Sequence, residues 1–408
     1  MRCRHCQAQL SLTFLDLGSA PPSNAYLTSA DLRAPEVWYP LRLLVCERCW
    51  LVQTEDHAGR EALFSDDYAY FSSFSVSWLA HAEAYVQAMQ ARLCLTHNSL
   101  VCEIAANDGY LLQYVQRAGI PCYGVEPTAG TAQAARKRGL DIVERFFGVE
   151  LARELARQGR QVDLAVANNV LAHVPDINDF AGGFAMLLKS RGVATFEFPH
   201  LLRMLRENQF DTVYHEHFSY LSLTAVQRLF DANGLSVFDV EQHSTHGGSL
   251  RVFAQRSDTG AHVPSDRVAQ VLRDESEVGL TTAAAYAGFQ ARADKVKDDF
   301  MTFLIEARRA GKTVAAYGAA AKGNTLMNYA GVRPGLLSFV VDANPAKQGK
   351  YMPGSRIPIV DEGHLTQARP DFIVLLPWNL KAELMQQLQY VREWGARFVT
   401  AVPALEVV

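Results

Sequence analysis

The sequence predicts an α/β protein built in three units. These are a small N-terminal metal-binding domain over residues 1–65, a Rossmann-like α/β domain over 66–260, and a helical linker leading into a second Rossmann-like domain over 261–408. Three observations carry this reading. Two Cys-x-x-Cys pairs lie within the first 50 residues, and strand–turn–helix–strand patterns begin near residue 100 and again near residue 313. The 408 residues are 49% hydrophobic, ample for more than one buried core, since single cores stop growing at roughly 250–300 residues.

The formal net charge of −4 offers no basic footprint for nucleic acid and no polybasic patch for a membrane surface. There is no run of 18 apolar residues, and "MRCRHCQAQL" lacks the apolar core of a signal peptide. A cytoplasmic protein is expected, and a monomer is compatible with the sequence. Seven cysteines in such a chain read as reduced thiols or metal ligands before disulfides.

The cysteine pairs are "CRHC" (Cys3, Cys6) and "CERC" (Cys46, Cys49), separated by 39 residues. Two such knuckles can bring four thiolates onto one tetrahedral ion, which suits zinc, and the gap has room for a hairpin. The rival readings are a redox dithiol or unrelated turn cysteines, and His5 is a substitute ligand. A closed four-thiolate shell leaves no open position, so the expected role is structural. Cys94, Cys102 and Cys122 lie in apolar contexts and read as core residues.

The next unit begins with an apolar strand (Leu100 to Ile104), a small-residue turn and a helix starting near Gly109. A second strand (Cys122 to Val125) ends in Glu126, an acid about 20 residues beyond the turn, placed to bond a ribose. Dinucleotides and S-adenosylmethionine both use this layout. "VDLAVANNVLAHVPD" adds a strand (Leu164 to Ala167) with an Asn-rich end and a histidine-bearing turn, and "GVATFEFPH" adds another. "HSTHGGSLRVF" places a Gly-Gly turn before an apolar strand; His246, Ser249 and Arg251 there face a sugar or phosphate, or stabilise the turn. Residues 265–310 read as long helices, a spacer and buttress. "KTVAAYGAAAKGNTLMNYAGV" opens the last unit with a strand (Thr313 to Tyr317). Asn324 stands where a phosphate-binding loop needs lysine, so nucleoside triphosphate hydrolysis is excluded. The turn and helix start, with Lys322, suit a phosphate.

The densest cluster of proton-carrying groups is "FDTVYHEHFSYLS", with Tyr214, His215, Glu216 and His217 in four consecutive positions. A metal site wants three or four ligands, and His200 is the nearest further candidate. The alternatives are a turn whose histidines bond backbone carbonyls, and a proton-transfer centre. Extended backbone would turn Tyr214 and Glu216 away from His217, so a shared role requires a bend.

Taken together, the cysteine pairs, "EIAANDGYLL", "GVEP", "ANNVLAHVPD", "FEFPHL", "YHEHFSYLS", "HGGSLRV" and "YGAAAKGNTL" resemble, in order and over nearly the whole chain, the sugar C-methyltransferases that act on nucleotide-linked keto-deoxysugars. The resemblance implies a class I methyltransferase domain flanked by the zinc and C-terminal units. It implies S-adenosylmethionine and structural zinc as cofactors, and methyl transfer to C3 of a nucleotide-linked 4-keto-6-deoxysugar through an enolate. By the same resemblance Glu103, Asn107, Asp108 and Gly109 surround the methionine end, Glu126 and Pro127 the ribose and adenine, and Asn168 the third strand end. His217 is the implied general base and Glu216 its polar partner. Tyr214 is the donor to the keto oxygen, His173 a second polar group and Tyr68 a lid tyrosine. Substrate contacts are expected from Lys322, Asn324, Arg251 and His246. Asp108 also reads as the N-cap of the following helix. The family usually has glycine where this chain has Ala105, so the turn is expected to keep negative φ there. The rivals are an NAD(P)-dependent oxidoreductase using the C-terminal unit, a sugar O-methyltransferase, and a nucleotide-sugar-binding scaffold with a dead cofactor site.

Overall fold

A computed structural model of the chain describes residues 1–57 and 71–408. Tyr68 and the expected boundary at residue 65 fall outside the described residues. The N-terminal unit is a sheet of β1 (Leu12–Ala20), β2 (Tyr39–Val45) and β3 (Val52–Thr54), all antiparallel. The second cysteine knuckle is the tight connection from β2 to β3, closed by Cys46 N–H to Leu51 O at 3.0 Å, with Trp50 at φ +63°.

The central sheet contains β4 (Val101–Ile104), β5 (Cys122–Val125), β6 (Ile142–Val143), β7 (Val162–Asn168) and β8 (Leu188–Pro199), parallel throughout. Their mostly buried side chains are what a strand covered on both faces requires. A two-residue strand, β9 (Ser219–Tyr220), leaves this domain and pairs antiparallel with β3 as the fourth strand of the N-terminal sheet. The chain returns as β10 (Leu235–His243) and β11 (Ser249–Arg256), antiparallel at the edge, giving the order β10-β11-β8-β7-β4-β5-β6. The order reverses between β4 and β7. The crevice outside the carboxyl ends of those strands is where open α/β sheets bind ligands.

The C-terminal sheet comprises β12 (Val314–Tyr317), β13 (Val340–Val341), β14 (Ile359–Val360), β15 (Phe372–Leu375) and β16 (Arg397–Thr400), all parallel. An antiparallel β17 (Glu406–Val407) completes the order β14-β13-β12-β15-β16-β17. One continuous core joins this domain to the N-terminal sheet. Phe14 of β1 stacks on Phe289 with ring centroids 4.7 Å apart, and the apolar face of helix Phe289–Arg309 carries the contact on to Leu326 and Val340.

The region expected to be a helical linker divides between the two neighbours. Helix Phe289–Arg309 is the anticipated buttress. Helix Asp266–Val278 instead belongs to the central core, through Val268, Val271 and the fully buried Glu275. Glu275 accepts from the Leu223 and Thr224 N–H groups at 2.6 and 2.8 Å, capping a neighbouring helix that its own chain segment does not contain. It also meets His200 Nε2 at 2.7 Å. A carboxylate so engaged cannot be left in a solvated spacer, because its partners would be stranded in apolar surroundings. Glu275→Ala is expected to lower unfolding free energy by about 3–5 kcal/mol, the usual cost of orphaning a buried pair; denaturant unfolding followed by circular dichroism checks this.

Candidate active site

The turn after β4 runs through three left-handed residues, Ala105 at φ +58°, Asn107 at +51° and Gly109 at +78°. The expectation of negative φ at Ala105 is therefore corrected: alanine takes the glycine conformation and bears its strain, of order 1 kcal/mol or more. Gly109 is required on a second count, since a Cβ there would lie 2.3 Å from Leu140 Cδ1. What holds the turn is Glu126 at the end of β5. Its carboxylate accepts from Asn107 N–H at 3.0 Å and from Thr128 N–H at 2.9 Å. Asp108 is not a helix cap; helix Leu112–Arg117 has Leu111 at its cap position. Asp108 accepts instead from the Ser73 hydroxyl and from Arg138 Nη2, the latter at 3.3 Å.

Glu103 is fully buried in β4, with no hydrogen-bond partner for either carboxylate oxygen among the described residues. Burial pushes its carboxyl well above the ordinary range, and the charges of Asp108 and Glu126 push it the same way. Burial also raises Glu126. Asn168, ending β7, has an unpartnered buried Oδ1, and Pro127 lies half-buried beside Glu126. Three neighbouring carboxyls, with Glu103, Asp108 Oδ1 and Asn168 Oδ1 unpartnered among the described residues, call for a cation bearing N–H and O–H donors. S-adenosylmethionine, with its sulfonium, ammonium and ribose hydroxyls, fits that demand. Glu103, Asn107, Asp108, Glu126 and Asn168 are the residues that would hold it.

The bend that a shared role demands is present. His217 N–H donates to Tyr214 O at 2.9 Å, closing a turn over residues 214–217. The Tyr214 and His217 rings lie 3.9 Å apart, and the His173 ring stands edge-on to His217 at 4.6 Å. His217 Nδ1 lies 2.9 Å from Thr212 O. A carbonyl only accepts, so Nδ1 carries a proton. His173 is held the same way by Glu216 O at 2.8 Å, and burial lowers it to about 4, so it is neutral in ordinary buffers. Phe218 N–H donates to Ala172 O at 2.8 Å, which seats this turn against the segment leaving β7 at the mouth of the cofactor crevice. The Glu216 side chain turns away from the histidines. Oε1 accepts from Asn24 Nδ2 at 3.1 Å, Oε2 has no partner among the described residues, and burial raises its carboxyl. His215 is structural: Nε2 donates to Pro40 O at 3.2 Å. His200 is committed to Glu275, and the only grouping of metal-binding side chains among the described residues is the cysteine cluster.

The substrate-side residues separate. Lys322 Nζ donates to Asn379 Oδ1 at 2.8 Å and sits 4.7 Å over the Trp378 ring. The Trp378 indole donates to the buried Asp211 at 2.7 Å. Trp378 packs on the Gly-Gly turn, where a Cβ on Gly247 would lie 2.6 Å from its ring. Asn324 is buried, its Nδ2 donating to Ser23 O at 2.6 Å. Arg251 is not available to a phosphate. It is buried, with Nη2 on Glu197 at 2.7 Å and Nη1 on Glu241 at 3.1 Å. Ser249 likewise serves the turn, donating to Thr245 O at 3.1 Å. The side chain of His246 lies outside the described set. Sequence reasoning missed Asn24, Asp211 and Trp378; only the proximity of Asp211 to the Tyr-His-Glu-His run marked it.

At the N-terminus the four cysteine sulfurs lie within 4.8 Å of one another, Cys3 to Cys49 at 3.5 Å and Cys6 to Cys46 at 3.4 Å. Zinc–sulfur arms of about 2.3 Å define a tetrahedron with edges of roughly 3.8 Å, so the set fits a zinc ion. Gln53 Nε2 donates to Cys3 Sγ at 3.3 Å, the kind of outer hydrogen bond that steadies a thiolate ligand. His5 is not a ligand; its ring bonds Asn178 Oδ1 at 2.8 Å.

A Rossmann sheet with an acidic crevice at its switch point, beside a cysteine cluster shaped for zinc, is the architecture of an S-adenosylmethionine-dependent methyltransferase with a zinc-binding N-terminal domain. Family models agree along the chain: a zinc binding domain matches residues 3–64, a methyltransferase domain 79–240, and a C-methyltransferase C-terminal domain 244–403. C-methyltransferase NovU from Streptomyces niveus is 34% identical over 406 residues, covering 100% of this chain and 96% of that protein. The chain belongs to the C-methyltransferase family. Solved structures match over about half the chain. Magnesium protoporphyrin IX methyltransferase from Synechocystis PCC 6803 is 18% identical, covers 44% of this chain and 83% of its own, and has a TM-score of 0.35. For 1,6-didemethyltoxoflavin-N1-methyltransferase from Burkholderia thailandensis the values are 17%, 51%, 96% and 0.37.

Two expectations follow from this geometry. Ala105→Gly removes the positive-φ strain and is expected to raise stability by a few tenths to about 1 kcal/mol, net of glycine's added unfolded-state entropy, without weakening cofactor binding; thermal unfolding and titration calorimetry measure both. Burial pushes Asp211 up to about 6, against the opposing pull of Lys322 and the Trp378 indole. The folded state thus holds this proton more tightly than the unfolded chain does. The resulting stability is complete below the ordinary carboxylate range and is lost as pH rises through about 6. Between pH 5 and pH 7 the wild type is expected to lose about 1 kcal/mol more than Asp211→Asn, as read from urea unfolding at each pH.

Proposed function

We propose that the protein methylates a carbon, C3, of a nucleotide-linked 4-keto-6-deoxysugar through base-catalysed enolate formation. The observation that carries the reading is the Tyr214–His217 turn, which commits His217 Nδ1–H to a backbone carbonyl and sets the imidazole ring 3.9 Å from the phenol ring at the mouth of the cofactor crevice. Bound S-adenosylmethionine supplies the electrophilic methyl group. His217 Nε2 takes the proton from C3, and the C–H electron pair becomes the enolate. The Tyr214 hydroxyl donates to the developing oxyanion at the C4 ketone. Neutral His173 accepts a sugar hydroxyl. The unpartnered Glu216 Oε2, braced through Oε1 by Asn24, serves the same purpose. Lys322, steadied by Asn379 and Trp378, takes the diphosphate at the junction with the C-terminal domain; Asn324, buried on Ser23 O, braces the helix instead.

The oxidoreductase reading finds no support in the C-terminal unit. There the Tyr26 hydroxyl donates to Ala319 O at 2.5 Å, Lys347 Nζ donates to the same oxygen at 2.8 Å, and Asp342 accepts from Ala319 N–H at 2.8 Å. Those contacts occupy the backbone of the turn that a dinucleotide pyrophosphate would approach. Membership of the C-methyltransferases likewise favours carbon over oxygen as acceptor.

Incubation in deuterated water with S-adenosylmethionine and thymidine-, guanosine- and cytidine-linked 4-keto-6-deoxysugars is expected to yield a product heavier by one methyl on carbon, stable to alkali. His217→Asn is expected to lower kcat by about 10²–10⁴ and to abolish deuterium exchange at C3, while cofactor affinity is kept. Wild-type exchange in that variant removes His217 as base, and methyl transfer to oxygen removes the carbon assignment.

A further inference from the structure

The zinc knuckle and the catalytic turn are joined by a short, fully buried chain of hydrogen bonds. Gln53 Nε2 donates to Cys3 Sγ at 3.3 Å, and Gln53 Oε1 accepts from Arg4 N–H at 2.9 Å, so one side chain reads two consecutive residues of the knuckle. The next residue, Thr54, donates through Oγ1 to the carbonyl of His217 at 3.2 Å and through its N–H to Phe218 O at 3.2 Å. Arg4 Nη2 closes the loop by donating to Thr54 O at 2.9 Å. Gln53 and Thr54 are essentially inaccessible to solvent, so no water can substitute for a lost bond without opening the sheet. Beyond this point the β3–β9 pairing fixes Ser219 and Tyr220 in register with Gln53 and Val52.

We infer that Val52–Thr54 acts as a strut that transmits the position of the zinc site to the general base, with Thr54 and Gln53 as positioning residues for His217. Three of the bonds that place His217 are ring Nδ1 on Thr212 O, backbone N–H on Tyr214 O, and backbone carbonyl under Thr54 Oγ1. The first two lie within its own loop and move with it. The third refers the residue to the N-terminal domain. A base displaced by about 1 Å loses proton-transfer rate steeply, so the strut acts on the step that breaks the C–H bond and leaves ground-state binding unchanged. The zinc domain then has a role in catalysis although its closed thiolate shell touches no substrate. This rests on the reading of His217 as base.

The test compares Thr54→Val, Thr54→Ser, Gln53→Leu and His217→Asn in the full-length, zinc-loaded protein. It measures zinc content, S-adenosylmethionine affinity, KM, kcat and substrate C–H exchange into deuterated water. Thr54→Val is expected to keep one equivalent of zinc, with cofactor affinity and KM within about twofold of wild type, and to lose about tenfold in both kcat and exchange. Thr54→Ser, which restores the hydroxyl, returns exchange to within about threefold of wild type. Gln53→Leu, at matched zinc content, slows exchange at least about threefold although it does not touch His217. Wild-type exchange in Thr54→Val sinks the strut. So does a loss of activity that tracks loss of zinc or of cofactor binding, because that is the signature of a merely structural residue. Wild-type exchange in His217→Asn sinks the base reading and the strut with it, and is distinguishable from failure of the strut alone.

Discussion

Two residue pairs, Val52 with Tyr220 and Gln53 with Ser219, complete the N-terminal sheet with a strand supplied by the methyltransferase domain. Everything around the catalytic turn depends on that exchange. A three-stranded sheet with an open edge at β3 would leave backbone N–H and C=O groups unsatisfied inside the molecule. Filling the edge with β9 satisfies them, and it pins the segment immediately after His217 to a domain cross-linked by its own metal site. The same sheet packs through Phe14 on the helix that leads into the C-terminal domain, so the strand exchange makes one body of all three units.

The two halves of the site have opposite electrostatic designs. The cofactor crevice gathers Glu103, Asp108 and Glu126 where burial and mutual repulsion raise Glu103 and burial raises Glu126. Such a site is costly when empty and is relieved by a cation. The Tyr214–His217 turn gathers rings instead of acids: burial keeps His173 uncharged, and backbone carbonyls accept from Nδ1–H of both histidines. The acid nearest in sequence, Glu216, is bonded to Asn24.

The sheet of the C-terminal domain has the parallel order of a nucleotide-binding domain, yet the turn after β12 is closed by Tyr26, Lys347 and Asp342. Its contacts with the Tyr214–His217 loop come from elsewhere. Lys322 lies on the following helix, Trp378 and Asn379 follow β15, and Thr325 Oγ1 donates to Val213 O at 2.7 Å, which braces the catalytic loop from the far side.

Short-range chemistry was readable in the chain. The cysteine pairs announce a metal site because ligand type and knuckle spacing are local properties. The strands and helices of both α/β units follow from apolar period and small-residue turns. Gly109 is needed for a reason its neighbours state. The bend over Tyr214–His217 followed from requiring that two side chains share one face. Partner choice among distant residues was not readable. Arg251 looked available to a phosphate until β8 placed Glu197 across from it in register. Asp108 looked like a cap until Ser73 and Arg138 took it. Ala105 was expected at negative φ, but the bond from Asn107 to Glu126 at the end of the next strand fixes the turn more strongly than one methyl group resists it. The segment holding Glu275 read as a spacer helix, and Glu275 caps another helix. The sequence determined which elements form and which atoms are present to react. The tertiary structure decided which polar group each buried atom meets, because that depends on register and packing between segments scores of residues apart, and no local pattern encodes it.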